Sequence, residues 1–353
     1  MKTGGSIKSF LVKTIVLMFF HAVFLSGALP GIEKYLQVGI GTGWKNNVNP
    51  VYSFSSASEI FKRGGNEGGA IFLFNSEGGL HTSRERGFSI DASIGGELSL
   101  MSMENSKLDS MIAGGYFFPF NENNLMRFSL SFHNATVNFI DPESLYIDTT
   151  FSVAHVYYSD NIYSLFFRLS TSWYKSTGDL LKYLNGFFSS FESSGRIFIS
   201  EHFYIEGLAA FSISFFDDQI VEYHRHHDVY YGQLVIDGRF YSLSKGLTTG
   251  FDIGDFSFPV TFRYFYSRSF SSDTHRILYW SDVGKKAVVH KKTRVDNTIE
   301  MNIGANYNIT ENIRAGVSYL AHRNFSNVGE DYADYGDYSR TIHSIMAEIS
   351  YEF

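Results

Sequence analysis

The sequence predicts an all-β fold: a single transmembrane antiparallel β-barrel of about 14 strands, within a range of roughly 10 to 16. Three observations carry this. Apolar and polar residues alternate with a period of two from one end of the chain to the other. The alternating runs are roughly 10 to 15 residues long, longer than the usual 5 or 6 of soluble sheets and suited to tilted membrane strands. Short polar connections alternate with long ones, as periplasmic turns alternate with outer loops in such barrels.

The last run, RTIHSIMAEISYEF (340–353), shows the pattern most clearly. Thr341, His343, Ile345, Ala347, Ile349, Tyr351 and Phe353 fall on one face, and Arg340, Ser344, Glu348 and Ser350 on the other. In GFSIDASIGGELSL, Phe88, Ile90, Ala92, Ile94, Leu98 and Leu100 oppose Ser89, Asp91, Ser93, Glu97 and Ser99. LMRFSLSF sets Met126, Phe128, Leu130 and Phe132 against Arg127, Ser129 and Ser131. The runs around Tyr163–Trp173, Phe203–Phe215 and Ile299–Tyr307 repeat it. Trp44, Tyr163, Trp173, Tyr307, Tyr351 and Phe353 sit towards strand ends, where interfacial aromatic girdles belong. These features favour an apolar face turned to lipid over a soluble sandwich that buries it.

The connections follow. Short turns are expected at 120–124, 159–161, 200–202 and 310–312, and longer loops at 45–68, 176–186, 217–228, 271–292 and 326–337. Pro50, Pro119, Pro142 and Pro259 are read as lying at the ends of runs or between them, where no ladder bond is lost. Roughly 23 residues per strand and connection give about 14 strands. Treating 228–254 as one bent strand also gives 14; a turn at 244–246 and a strand at 275–281 would give 16. Either even number returns the C-terminus to the periplasmic side. The barrel consumes nearly the whole chain and leaves no room for a plug or periplasmic domain.

The first 28 residues stand apart. Lys2, Lys8 and Lys13 precede the apolar stretch from Thr14 to Leu25, and Ser26-Gly27-Ala28 places small residues at a cleavage site. This reads as a secretory signal peptide (1–28) followed by the barrel (29–353). The apolar stretch is short for a span of roughly 20 residues.

Composition excludes several chemistries. The chain has no cysteine, so disulfides, zinc–thiolate centres, a cysteine nucleophile and a lipid-anchoring cysteine are all ruled out. A net charge of −7 with no basic stripe argues against nucleic acid as a partner. No cofactor and no metal is expected.

The signal peptide, the lack of cysteine and the terminal Tyr351-Glu352-Phe353 with alternate apolar residues behind it resemble bacterial outer-membrane β-barrel proteins of the porin-like class. The resemblance implies the outer membrane of a diderm bacterium, reached by the general secretory pathway. It also implies outer-membrane lipid and the barrel-assembly machinery as partners, the latter reading Ile345, Ile349, Tyr351 and Phe353 in the final strand.

The expected lumen face carries Asp91, Glu97, Arg127, Arg168, Glu192, Arg196, Glu206, Asp237, Arg239, Asp252, Arg263, Glu300, Arg314, Arg340 and Glu348. The leading expectation is a channel passing small solutes through this mixed-charge lumen, where facing charges set a transverse field. The alternative is a closed structural or surface-binding barrel in which the same charges pair with one another. Gly39, Gly41 and Gly43 leave room on the lumen side of the first strand or permit its curvature. VEYHRHHD (221–228) gathers histidines and carboxylates of metal-ligating type, read as a solvated loop. GEDYADYGDY (329–338) is likewise read as a solvated acidic loop. Asp273-x-His275 in FSSDTHR resembles the Asp-x-His half of the catalytic site of omptins, the outer-membrane barrel proteases. The acidic pair that completes such a site has no match in the chain, so no catalytic residue is assigned.

Overall fold

The computed structural model describes residues 32–46, 68–82, 87–100, 106–136, 145–159, 162–176, 185–217, 219–224, 230–236, 238–270, 274–280, 285–327 and 340–352. The strands in chain order are β1 (Glu33–Lys45), β2 (Gly69–His81), β3 (Gly87–Ser99), β4 (Lys107–Asn121), β5 (Asn124–Thr136) and β6 (Leu145–Ser159). Then come β7 (Tyr163–Ser176), β8 (Gly186–Ser200), β9 (Phe203–Phe216), β10 (Gln219–His224), β11 (Tyr230–Ile236) and β12 (Arg239–Ile253). The last are β13 (Phe256–Ser269), β14 (Thr274–Trp280), β15 (Lys285–Lys292), β16 (Val295–Asn308), β17 (Ile313–Ser326) and β18 (Arg340–Glu352).

Fourteen of these strands close into an antiparallel barrel in the order β1-β18-β17-β16-β13-β12-β9-β8-β7-β6-β5-β4-β3-β2. Closure runs through β1 and β18, with Val38 opposite Tyr351 and Trp44 opposite Ile345. A closed ladder leaves no unpaired edge, the condition for β-structure inside hydrocarbon. Barrel strands are 13 to 15 residues long, as the alternation predicts.

Register assigns the two faces. Ile40, Trp44, Phe88, Ile90, Leu169, Trp173, Phe211, Leu247, Phe262 and Ile345 point outward and are exposed. Their sequence neighbours point inward. Ser89, Ser170, Ser190 and Ser214 on that inner side are buried. An apolar exterior around a polar interior is the inverse of a soluble barrel, and it is the architecture of an outer-membrane-type barrel. The aromatic ends are arranged as girdles: Trp44 and Trp173 lie at one end of the outer wall, and Phe256, Tyr307 and Tyr351 at the other.

The tight turns gather at one end with both termini of the barrel: β4–β5 at 122–123, β8–β9 at 201–202, β12–β13 at 254–255 and β16–β17 at 309–312. Gly254 adopts φ +57°, a left-handed conformation that lets β12 reverse into β13 in two residues. The long connections gather at the opposite end.

Two of those long connections differ from expectation. Segments 217–228 and 271–292, read as loops, contribute β10, β14 and β15, which join β11 in a separate four-stranded sheet of order β10-β11-β14-β15. That order repeats β9-β12-β13-β16 of the barrel, because each added strand continues a barrel strand after a break of only a few residues. Phe216 N–H donates to Gly238 O, Phe270 N–H to Arg239 O and Ser269 N–H to Arg294 O, so the barrel ladders run up to the breaks from which the added strands continue. The chain therefore holds more than the barrel, contrary to the expectation that the barrel consumes it. The strand at 275–281 exists, outside the barrel, and 244–246 is the middle of β12 and not a turn. Proline placement also differs. Pro259 lies within β13, where the pairing with β16 skips from Ser257–Asn306 to Val260–Ile303. Having no N–H, proline cannot support the ladder there. Pro119 accompanies a bulge at the end of β4.

Candidate functional site

The inner wall is built from small hydroxyls and paired charges. Adjacent strands are linked by Ser129–Ser152 at 2.6 Å, Thr150–Ser172 at 2.6 Å, Ser170–Ser190 at 2.8 Å and Thr248–Thr261 at 3.1 Å. Ser212 and Ser242 form a further link of this kind. Short side chains of this type keep the wall thin. Fourteen strands about 4.8 Å apart and tilted near 40° put the backbone on a circle roughly 28 Å across, wide enough for water within the side-chain layer. Among the described residues, no strand or helix lies across that space.

The charges pair along the wall, between neighbouring strands or across one intervening strand. Arg168 stands opposite Glu192 in register and donates to it at 3.1 Å. Arg196 opposes Glu206 and reaches one carboxylate oxygen from Nε at 2.9 Å and Nη2 at 2.6 Å, with its guanidinium 4.6 Å from the Tyr204 ring centre. Arg263 opposes Glu300 at 3.8 Å, and His322 approaches the other Glu300 oxygen at 3.7 Å. Lys45 pairs with Glu97.

Asp91 is the most heavily engaged carboxylate. Its Oδ2 accepts from Arg127 at 3.0 Å, while Oδ1 lies 3.1 Å from the Tyr35 hydroxyl and 3.0 Å from His81 Nε2. Glu77 lies 3.2 Å from the same Tyr35 hydroxyl, whose single proton goes to one of the two carboxylates. Arg127 also stacks over Phe117 at 5.0 Å. On the next part of the wall, Asp148 is held by His133 at 2.7 Å and Thr150 at 3.2 Å. Glu348 accepts from Asn75 at 3.3 Å.

Of the residues expected at the lumen, the register thus places Asp91, Glu97, Arg127, Arg168, Glu192, Arg196, Glu206, Arg263, Glu300 and Glu348 on the inner face. Arg314 joins them opposite Asn308 and Ser350, and Asp252 opposite Ser257. Arg340 pairs with Asn324, an inner-face position. Asp237 lies outside the described residues. Arg239 is a correction: it opposes the outward Phe215 and so shares the outer face with Leu243 and Leu247. The sequence reading runs 228–254 as one strand, whereas the structure breaks it at 237–238, and alternation does not carry across the break.

The facing charges expected to set a transverse field are also rearranged. The Arg–Glu pairs neutralise one another side by side, a consequence of register that single-strand alternation does not contain. His81, His133 and Tyr35, which complete these clusters, lie outside the expected set; the even spacing of His133 from Arg127 and of Tyr35 from Gly39 is the available signal, and β2 offers none for His81.

Glu222 and His224 belong to β10, and the rest of the histidine cluster lies outside the described residues, as does 329–338. Asp273 lies outside them too, and His275 opposes Val235 and Lys291 in the four-stranded sheet. The signal-peptide segment and Phe353 are likewise outside, while Ile345, Ile349 and Tyr351 line the outer face of β18 at the closing seam. A depression of about 560 Å³ lies on that outer wall beside Ile40, Phe72, Phe256, Ala315 and Ala347, facing away from the lumen.

No protein-family model and no curated protein matches the chain. Among solved structures it is similar to the outer membrane channel DcaP of Acinetobacter baumannii, at 10% identity over 91% of this chain and 97% of that one, with a TM-score of 0.47. It is also similar to a bacterial polysaccharide outer membrane secretin, at 10% identity over 91% and 98% with a TM-score of 0.45. An anion-selective porin from Comamonas acidovorans follows, at 9% identity over 91% and 99% with a TM-score of 0.44.

Proposed function

We propose that this barrel sits in the bacterial outer membrane and passes small hydrophilic solutes through its lumen. The observation that supports the reading is a closed fourteen-stranded wall whose interior is lined by hydroxyls and charges and is crossed by no described element. Passage is passive in this reading, because the described wall offers many weak polar contacts spread over its strands. The paired Arg–Glu sets contribute little net field. Among the described residues, Glu77 and Glu348 are held by Tyr35 and Asn75 and form no ion pair with Lys or Arg, which leaves their charge unbalanced. The pore therefore prefers cations.

Planar-bilayer recording of the refolded chain tests this. Conductance well above the lipid background is expected, with a reversal potential of cation-selective sign in a potassium chloride gradient. Silence over a range of salt and voltage would sink the channel reading.

A second reading has one specific observation in its favour. The sheet β10-β11-β14-β15 prolongs four barrel strands beyond the end that carries the long connections. A built element there suits a surface that binds a partner, with the barrel as its mount. Removing that sheet separates the two readings, since a channel keeps its conductance and a binding barrel loses its partner.

A further inference from the structure

The outward face of the barrel is not uniformly apolar, and its exceptions are all of one sign. Among the described strands, the outward register positions hold no Asp or Glu, yet Lys34, Lys175, Arg239, Lys245, Arg268 and Arg323 fall on them. All but Lys34 lie in the half of the wall near the long connections. Arg239, Lys245, Arg268 and Arg323 share one arc, β12, β13 and β17 with β16 between them, and all are exposed.

Their height in the wall is informative. Lys245 is nine residues from the turn at Gly254, Arg323 eleven from Asn312 and Arg268 thirteen from Asp255. A strand rise near 3.3 Å tilted by about 40° gives roughly 2.5 Å of height per residue. The cations therefore stand roughly 22 to 33 Å above the turns, at the upper margin of an apolar band about 25 Å tall. That is headgroup level in the leaflet on the side of the long connections.

Their surroundings contrast with the lumen. Inside, Lys45, Arg127, Arg168, Arg196 and Arg263 each meet a carboxylate. Outside, Lys245 lies over the Tyr264 ring at 5.6 Å and Arg323 over Phe325 at 4.6 Å, and no described carboxylate pairs with Lys245, Arg268 or Arg323. Tyr264 donates to Asn297 at 2.6 Å beside them. Aromatic rings hold the long side chains against the wall while the charged heads remain available to the membrane surface.

We propose that this arc binds a phosphorylated glycolipid headgroup of the outer leaflet, an inference that rests on the outer-membrane reading above. Register spaces Lys245 from Arg323, and Lys245 from Arg268, by roughly 14 Å of backbone. That separation suits two phosphates on a disaccharide-sized headgroup better than one small anion, and the tyrosine hydroxyls and Asn297 offer sugar partners. A second copy of this barrel is a poorer occupant, because among the described residues its outward wall brings no carboxylate to neutralise the arc.

The test uses the full chain folded in neutral detergent and titrated with diphosphoryl lipid A, with intact-complex mass spectrometry counting bound lipid. One tightly bound lipid is expected. Its affinity should fall at least tenfold in the triple variant Lys245→Gln, Arg268→Gln, Arg323→Gln. The charge-preserving triple Lys245→Arg, Arg268→Lys, Arg323→Lys should retain it, and heat-modifiable gel migration reports folding of both. Equal binding by the glutamine variant, or by lipid A stripped of phosphate, would overturn the proposal. Competition by millimolar inorganic phosphate would overturn it also, by showing a simple anion site. Conductance recorded on the same samples keeps the tests apart: a silent barrel that still binds lipid condemns the channel and leaves the lipid site standing.

Discussion

Asp91 shows how much a single lumen residue carries in this wall. It is nearly buried and meets Arg127, Tyr35 and His81 from three other strands or strand positions. Replacement by Asn removes the charge that the Arg127 guanidinium faces, and hydrogen bonds to charged groups contribute about 1.5–3 kcal/mol each. Asp91→Asn should therefore lower the stability of the refolded barrel by about 1–3 kcal/mol, read as an earlier midpoint in urea unfolding followed by tryptophan fluorescence. An unchanged midpoint would show that water replaces Asp91 without loss. At this scale alternation in the sequence already separated Asp91, Arg127, Glu192 and Glu206 from their apolar neighbours. What it lacked was partnership. Arg168 meets Glu192 because β7 and β8 align at that register, and register is a property of two strands. The outward Lys245, Arg268 and Arg323 are hard to read from sequence for the opposite reason: they interrupt an apolar face, and the overall pattern hides its exceptions.

At the scale of the element, the seam between β1 and β18 depends on glycine. A Cβ at Gly43 would collide with the Ile345 carbonyl oxygen of β18, and one at Gly41 would come within 2.7 Å of the Ala347 carbonyl. Such contacts are with backbone and cannot be relieved by turning a side chain. The glycines read as lumen space or strand curvature are thus also where the two ends of the barrel approach. Gly43→Val should leave most of the refolded protein without the compact, heat-modifiable form on gels. Gly114→Ala, where a new Cβ meets nothing within 4 Å, should match the parent. The long connections teach a related lesson. Segments 217–228 and 271–292 carry short strands of 6 to 8 residues whose pairing is imposed by the barrel strands they continue. A strand that short gives few alternations to stand out, so β10 and β15 are legible only through their partners, and β14 only as the alternative strand at 275–281. Pro259 illustrates the converse, since a proline can interrupt one ladder of a long strand while the strand continues on the strength of the other.

For the molecule as a whole, strand number was readable because length, alternation and connection rhythm are global quantities, and the closed barrel has the 14 strands they predict. The four-stranded sheet is separable from that count. Each of its hairpins leaves the barrel between paired strands, β9 with β12 and β13 with β16, whose ladders are complete without it. Replacing 218–237 and 271–293 by short Gly-Asn turns should therefore yield a barrel that still refolds and conducts at least as well as the parent, measured by single-channel recording. Loss of the folded form would make the sheet part of the barrel's own stability. The last strand makes a further demand on the whole chain, because closure requires β18 to pair with β1, the barrel strand farthest from it in sequence. Ile345, Ile349 and Tyr351 project outward from it, where an assembly partner in the membrane could read them before the seam shuts. A double variant Tyr351→Ser, Phe353→Ser should then refold in detergent to nearly the parental extent while its yield in cellular outer membranes falls several-fold. Equal loss in both settings would make these residues interfacial anchors of the finished barrel. The difference between the two settings isolates recognition during assembly from stability afterwards.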